Sequence, residues 1–114
     1  MTVADGRESI EDAYKIITSA ADGLGDLKGR YSKEAFAEFE ASIGSCQKWV
    51  KLCRNKVWLR TGEGIDRAQS CLEAAQRMQA DLNNPAAANE AAADLSSQLE
   101  TLARIISTKA QIIT

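Results

Sequence analysis

Apolar residues in the segment 36–57 recur at alternating intervals of three and four positions, the spacing of one face of an α-helix. Ser32 is the expected N-cap of this helix, which we predict to extend to residue 60. A seam of this length requires other helices to cover it. Its seven residues are Phe36, Phe39, Ile43, Cys46, Val50, Cys53 and Val57.

Capping and turn residues divide the rest of the chain into three further helical segments. Residues 1–8 precede a candidate N-cap at Ser9, and we expect them to be frayed. The two glycines of the segment 61–64 are interpreted as a turn. Asn84 and Pro85 fit an N-cap and a first helical residue. The predicted helices cover residues 9–24, 32–60, 65–82 and 85–112.

Four amphipathic helices joined by short links favour an all-α fold, an antiparallel up-down-up-down four-helix bundle. At 114 residues the chain is expected to form one domain, residues 1–114. The second and fourth helices are the longest, so their seams need either staggered neighbours or a second molecule. Gly44 lies inside the second helix, and we interpret it as the place where a neighbouring helix crosses closely.

Charge is distributed unevenly along the chain. The formal net charge is −2, which does not favour nucleic acid as a partner. The segment 48–60, however, contains no acidic residue. Its cations are Lys48, Lys51, Arg54, Lys56 and Arg60. A local basic region in an acidic chain is evidence about association and not about fold.

The same segment holds both tryptophans and two leucines, more apolar surface than a solvated helix face carries beside a core seam. Tryptophan and arginine are favoured interface anchors. We therefore expect a non-enzymatic protein–protein interaction module that binds an acidic protein or a second copy of itself. Small adaptors, chaperones, immunity proteins and inhibitors share this outline, which does not choose among them. The predicted partner-binding residues are Lys48, Trp49, Lys51, Leu52, Arg54, Lys56, Trp58, Leu59 and Arg60.

Two alternatives account for the same segment. In the first, the protein is a small helical subunit of a nucleoprotein complex, and the cations contact phosphate; the acidic net charge makes this the weaker interpretation. In the second, the other helices bury the apolar side chains, and the cations only complement the dipole at the end of the helix.

The sequence offers little catalytic chemistry, and we expect no catalytic residue, cofactor or metal site. Histidine, the usual metal ligand and general base, is absent. Cys46 and Cys53 are seven residues apart, about 10 Å along a helix, too far to form a disulfide with each other. We interpret all three cysteines as buried thiols in a reducing compartment. Without a signal peptide or a membrane-spanning segment, we expect a cytoplasmic protein that does not bind membranes.

Overall fold

The computed structural model describes the backbone of residues 5–113 and the side chains of residues 5–109. Every regular element in this range is helical, so the all-α prediction is confirmed. No described helix has the length and apolar content needed to cross a membrane. The elements are α1 (Gly6–Asp22), α2 (Leu24–Lys28), α3 (Lys33–Cys53), a 3-10 helix (Val57–Arg60), α4 (Gly62–Ala80) and α5 (Pro85–Ile113).

Helix α1 begins earlier than predicted. The side chain of Asp5 accepts a hydrogen bond from the backbone N–H of Arg7 at 2.9 Å, so Asp5 and not Ser9 is the N-cap. The prediction of fraying is therefore wrong for residues 6–8, while residues 1–4 lie outside the described range. At its other end α1 stops at Asp22, and the five-residue helix α2 follows directly.

Helix α3 begins as predicted but ends early. Ser32 caps it by accepting a hydrogen bond from the N–H of Ala35 at 3.1 Å. After Cys53 the backbone of Arg54 is extended, and Asn55 is left-handed with a φ of 59°. Asparagine tolerates this conformation better than most residues do, and a helix cannot continue through it. The prediction of one helix over residues 32–60 is wrong beyond Cys53.

The predicted start is wrong for α4 and correct for α5. The hydroxyl of Thr61 accepts from the N–H of Gly64 at 3.1 Å, so the supposed turn is the capped first turn of α4. Asn84 caps α5 as predicted, by accepting from the N–H of Ala87 at 3.3 Å.

The four long helices contact one another in four pairs: α1 with α3, α3 with α5, α5 with α4, and α4 with α1. Arg77 of α4 donates to Asp94 of α5, and Ser70 donates to Gln98, so these two helices are antiparallel. Helices α3 and α5 run in the same direction. The thiols of Cys46 and Cys53 donate to the carbonyls of Ala92 and Leu99, respectively, each at 3.6 Å.

Among the described residues, one polar side chain is buried in the core beside these helices. Asn89 of α5 is 7% exposed, and its Nδ2 donates to the carbonyl of Ala35 in α3 at 3.2 Å. Its Oδ1 has no hydrogen-bond partner among the described residues. The rest of the buried core is apolar and includes Ile10, Ile17, Phe39, Ile43, Leu59, Met78, Leu95, Leu99 and Leu102.

Two glycines other than Gly44 lie where the 3-10 helix passes close to the starts of α1 and α4. A Cβ built on Gly64 would overlap the carbonyl oxygen of Trp58 and lie 2.7 Å from the Cα of Leu59. A Cβ on Gly6 would lie 2.5 Å from the Leu59 carbonyl oxygen. Gly44 is exposed, with nothing within 4 Å of such a Cβ, so its predicted role in a helix crossing is wrong.

Candidate protein-binding surface

The predicted site residues lie on three consecutive pieces of backbone instead of one helix. Lys48–Cys53 form the end of α3, residues 54–56 form a loop, and Val57–Arg60 form the 3-10 helix. The left-handed conformation of Asn55 turns the chain at this point. Residues that a continuous helix would place on one face therefore differ in their exposure to solvent.

Six exposed side chains of this region define what we call the basic surface. Two of them are large apolar side chains: Leu52 is 51% exposed and Val57 is 73% exposed. The other four are cations, for which the described residues provide no ion-pair partner. They are Lys48, Lys51, Lys56 and Arg60.

Val57 was predicted to be a core residue, but among the described residues it is the most exposed of the large apolar side chains. It would have continued the inner seam if α3 had extended through it. Because the helix stops at Cys53, Val57 begins the 3-10 helix and points away from the core. The apolar seam predicted over residues 36–57 thus lacks its last member, Val57, and ends at Cys53.

Leu59 shows the opposite change. It was predicted to contact a partner, but it is fully buried in the hydrophobic core. The 3-10 helix packs against the starts of α1 and α4, and Gly6 and Gly64 leave room for the Leu59 backbone there. Leu59 is therefore removed from the candidate surface as a residue of the core.

Arg54 is engaged within the molecule. Its Nε donates to Glu11 Oε1 at 2.5 Å, and its Nη2 donates to Oε2 at 3.2 Å. Its guanidinium lies 3.9 Å from the centre of the Tyr14 ring. Because the Glu11 carboxylate accepts these hydrogen bonds, the pKa of Arg54 is raised above its ordinary value. Arg54 therefore links the loop after α3 to α1, and its charge is already paired with Glu11.

The two tryptophans border the basic surface, and both are half-buried against the core. The ammonium of Lys48 lies 4.8 Å from the centre of the Trp49 ring, and the guanidinium of Arg104 lies 5.5 Å from it. These are cation–π distances. Arg104 of α5 thus joins the edge of the surface. Sequence reasoning missed it, because only the spatial contact between α3 and α5 brings it near.

Arg60 also has an acidic neighbour. The carboxylate of Asp5 has a pKa below its ordinary value, chiefly because Arg7 donates side-chain and backbone hydrogen bonds to it, with a smaller electrostatic contribution from Arg60. Lys51 and Lys56 form neither an ion pair nor a cation–π contact with the described side chains.

The cysteines lie on the opposite side of α3 from this surface or across the core. Cys46, Cys53 and Cys71 are free and buried. Burial raises the pKa of each thiol to about 12. A thiol is a nucleophile only as the thiolate, so at neutral pH these side chains act as small apolar groups.

In a chain without histidine, carboxylates are the remaining oxygen ligands for a metal ion. Glu34 and Glu38 are exposed on the first half of α3. Among the described residues, no group of three or more Cys, Asp or Glu side chains is placed to hold a metal ion.

The basic surface thus consists of two exposed apolar side chains and four exposed cations, with two half-buried indoles beside them in the sequence. Comparison with models of protein families, with curated proteins and with solved structures finds no match to this chain.

Proposed function

We propose that this protein is a non-enzymatic interaction module that binds an acidic surface of a protein partner through the basic surface. The observation that carries the proposal is the exposure of Leu52 and Val57. Among the described residues, these are the two exposed large hydrophobic side chains, and both lie between cations. Exposed apolar residues rimmed by polar ones are typical of protein-binding sites.

Charge supports an acidic partner. Lys48, Lys51, Lys56 and Arg60 form no ion pair among the described residues, so a partner's carboxylates would not have to displace an internal acid. Complementary charges of this kind increase the rate of encounter and select the orientation of binding. The apolar side chains would then supply contact area after the partner has docked.

The scaffold proposed beneath this surface is an antiparallel four-helix bundle of α1, α3, α4 and α5. The antiparallel pairing of α4 with α5 and the contact of Arg54 at the end of α3 with Glu11 near the start of α1 support alternating helix directions. A reducing compartment such as the cytoplasm suits three free cysteines. In such a scaffold the basic surface would remain in place without a partner.

The alternative function, phosphate contact within a nucleoprotein complex, would use the same cations. It gives no role to Leu52 and Val57, because phosphate binding depends on charge and hydrogen bonds. The two functions therefore differ in which substitutions should abolish binding.

Both tryptophans border the surface, so intrinsic fluorescence can report binding there without a label. We would titrate the protein with a synthetic peptide of alternating Glu and Leu, with a peptide in which Gln replaces Glu, and with a single-stranded oligonucleotide. The proposal predicts a change in tryptophan emission that is larger for the Glu peptide and that weakens as salt rises. Replacing Lys51 and Lys56 by Glu should abolish the change.

Lys15 and Lys28 are exposed cations far from this surface in sequence, and their replacement by Glu is the matched control. Equal binding of the Glu and Gln peptides, or an unchanged response in the Lys51 and Lys56 variant, would overturn the proposal. Binding of the oligonucleotide alone, insensitive to Leu52→Ser and Val57→Ser, would establish the phosphate-binding function instead.

A further inference from the structure

The outer face of α3 is a continuous exposed stripe along the helix. Exposed residues recur at the helical spacing on the side opposite the buried seam. From the first of them to the last, the stripe is about 27 Å long at 1.5 Å per residue. Its members are Glu34, Ala37, Glu38, Ala41, Gly44, Lys48, Lys51 and Leu52, and Lys33 and Glu40 are exposed at its edge.

Charge reverses along this stripe. The first half carries the acids Glu34, Glu38 and Glu40 and the cation Lys33, and the second half carries the cations Lys48 and Lys51 and no acid. Glu34 and Glu38, and likewise Lys48 and Lys51, are like charges one helical turn apart, an arrangement that destabilises an isolated helix. None of the four takes part in an ion pair among the described residues. The stripe is therefore complementary in charge to a second copy of itself that runs in the opposite direction.

The centre of the stripe carries no large side chain. Ala41 and Gly44 are exposed there, and no atom lies within 4 Å of a Cβ placed on Gly44. A glycine in an exposed helix interior costs about 1 kcal/mol relative to alanine. No contact within the chain accounts for that cost at Gly44, whereas a second helix crossing at this point could approach closely.

We propose that the outer face of α3 binds the α3 of a second copy of this chain in an antiparallel pair, about a twofold axis near residues 41–44. In this register Glu38 of each copy faces Lys48 of the other, and Glu34 faces Lys51 and Leu52. The inference rests on the proposed function, because Lys48, Lys51 and Leu52 belong to the basic surface. It names a second copy as the partner that supplies the acidic side.

The pairing has the properties of an isologous interface, in which one patch meets itself and the assembly closes as a dimer. Antiparallel helices also align their dipoles favourably. One exposed helix pair is a small interface, so we expect a reversible dimer whose dissociation increases with salt. Leu52, half-exposed in the monomer, would lose solvent contact at each end of the pair.

Charge reversal gives a test that is specific for this register. Glu38→Lys gives a copy with only cations at the two facing positions, and Lys48→Glu gives a copy with only acids there. Each variant alone should dimerise at least about tenfold more weakly than the wild type, a loss of roughly 1.4 kcal/mol. A mixture of the two should form a heterodimer, because both facing pairs are then oppositely charged.

The measurement is analytical ultracentrifugation over a concentration series at low salt, with circular dichroism to verify folding. Glu73→Lys and Lys15→Glu, at exposed positions on other helices, are the charge-matched controls and should dimerise as the wild type does. A wild type that stays monomeric, single variants that dimerise normally, or a mixture that stays monomeric would each overturn the pairing.

The same experiment separates the two proposals. Glu38 lies outside the basic surface, so Glu38→Lys should weaken self-association at least about tenfold while the acidic peptide still changes the tryptophan emission. A monomeric wild type that binds this peptide would overturn the dimer and leave the proposed function standing. A wild type that does not bind the peptide, or equal binding by the wild type and the Lys51 and Lys56 variant, would instead count against the function.

Discussion

The two faces of α3 have the same helical spacing and opposite surroundings. The inner face carries Phe39, Ile43, Cys46, Val50 and Cys53, all at most 1% exposed. The outer face carries small and charged residues with solvent around them. The same contrast recurs past the end of the helix, where Leu59 is buried and Val57 is not.

This contrast shows which positions the fold constrains and which it leaves available for binding. Substitutions on the inner side meet packed atoms, and the free energy of unfolding should respond strongly. Substitutions on the outer side should change the fold little and association more. Matched residues on the two sides allow each half of that statement to be tested separately.

The largest expected effect is a loss of stability at alkaline pH, because the three buried thiols ionise more readily in the unfolded chain than in the folded protein. Burial raises the pKa of Cys46, Cys53 and Cys71 from near 9 to about 12. Below pH 9 the thiols are neutral in both states and contribute nothing. Between pH 9 and 12 only the unfolded chain ionises, so stability should fall by up to about 1.4 kcal/mol per pH unit for each thiol.

Urea denaturation at a series of alkaline pH values measures this slope. Cys53→Ala should reduce it by about one third, since one of three similar thiols is removed. Ala41→Cys adds a thiol on the outer face and should leave the slope unchanged. A wild-type slope near zero from pH 9 to 11 would mean that the inner thiols ionise in the folded protein.

A leucine pair tests the contrast at the end of the helix. Leu59→Ala leaves a cavity in the core and should cost about 3 kcal/mol. Leu52→Ala removes the same atoms from an exposed site and should stay within about 0.5 kcal/mol. Equilibrium unfolding followed by tryptophan fluorescence, at concentrations low enough to avoid association, compares them. Similar losses for the two variants would contradict the assignment of Leu59 to the core.

A glycine pair gives the smallest effect and differs in sign. Gly64→Ala forces a Cβ against the backbone of Trp58 and Leu59 and should cost about 2 kcal/mol. Gly44→Ala meets open space in a helix and should stabilise the monomer by about 1 kcal/mol. Thermal unfolding of dilute samples gives both values. Destabilisation of the dilute Gly44→Ala variant would indicate a contact within the chain that the structure does not contain.

Sequence reasoning succeeded where local chemistry decides the structure. Ser32 and Asn84 cap their helices because their side chains accept hydrogen bonds from N–H groups three residues ahead. The inner seam from Phe39 to Cys53 follows from periodicity alone. These features need no knowledge of what packs against them.

It failed where tertiary contacts override the pattern. Residues 54–60 continue the helical spacing in the sequence, yet they do not form a helix with α3. Arg54 binds Glu11, and the backbone of Leu59 packs against Gly6 and Gly64 at the starts of α1 and α4. Those partners are distant in sequence, so periodicity cannot reveal them. For the same reason the pattern could not distinguish Gly44, which is open, from Gly64, which is enclosed. Five of the nine predicted surface residues are exposed; Leu59 is buried, and the other three are partly exposed.

The buried amide of Asn89 limits how α5 can slide along α3. Its hydrogen bond to Ala35 forms at one axial position. Apolar side chains along a parallel helix pair can interlock again after a shift of one turn, but the Asn89 amide would then be separated in the core from the carbonyl to which it donates. Leaving a buried donor unpaired costs about 1–3 kcal/mol. A single side chain thereby penalises the neighbouring registers that the apolar seam alone would tolerate.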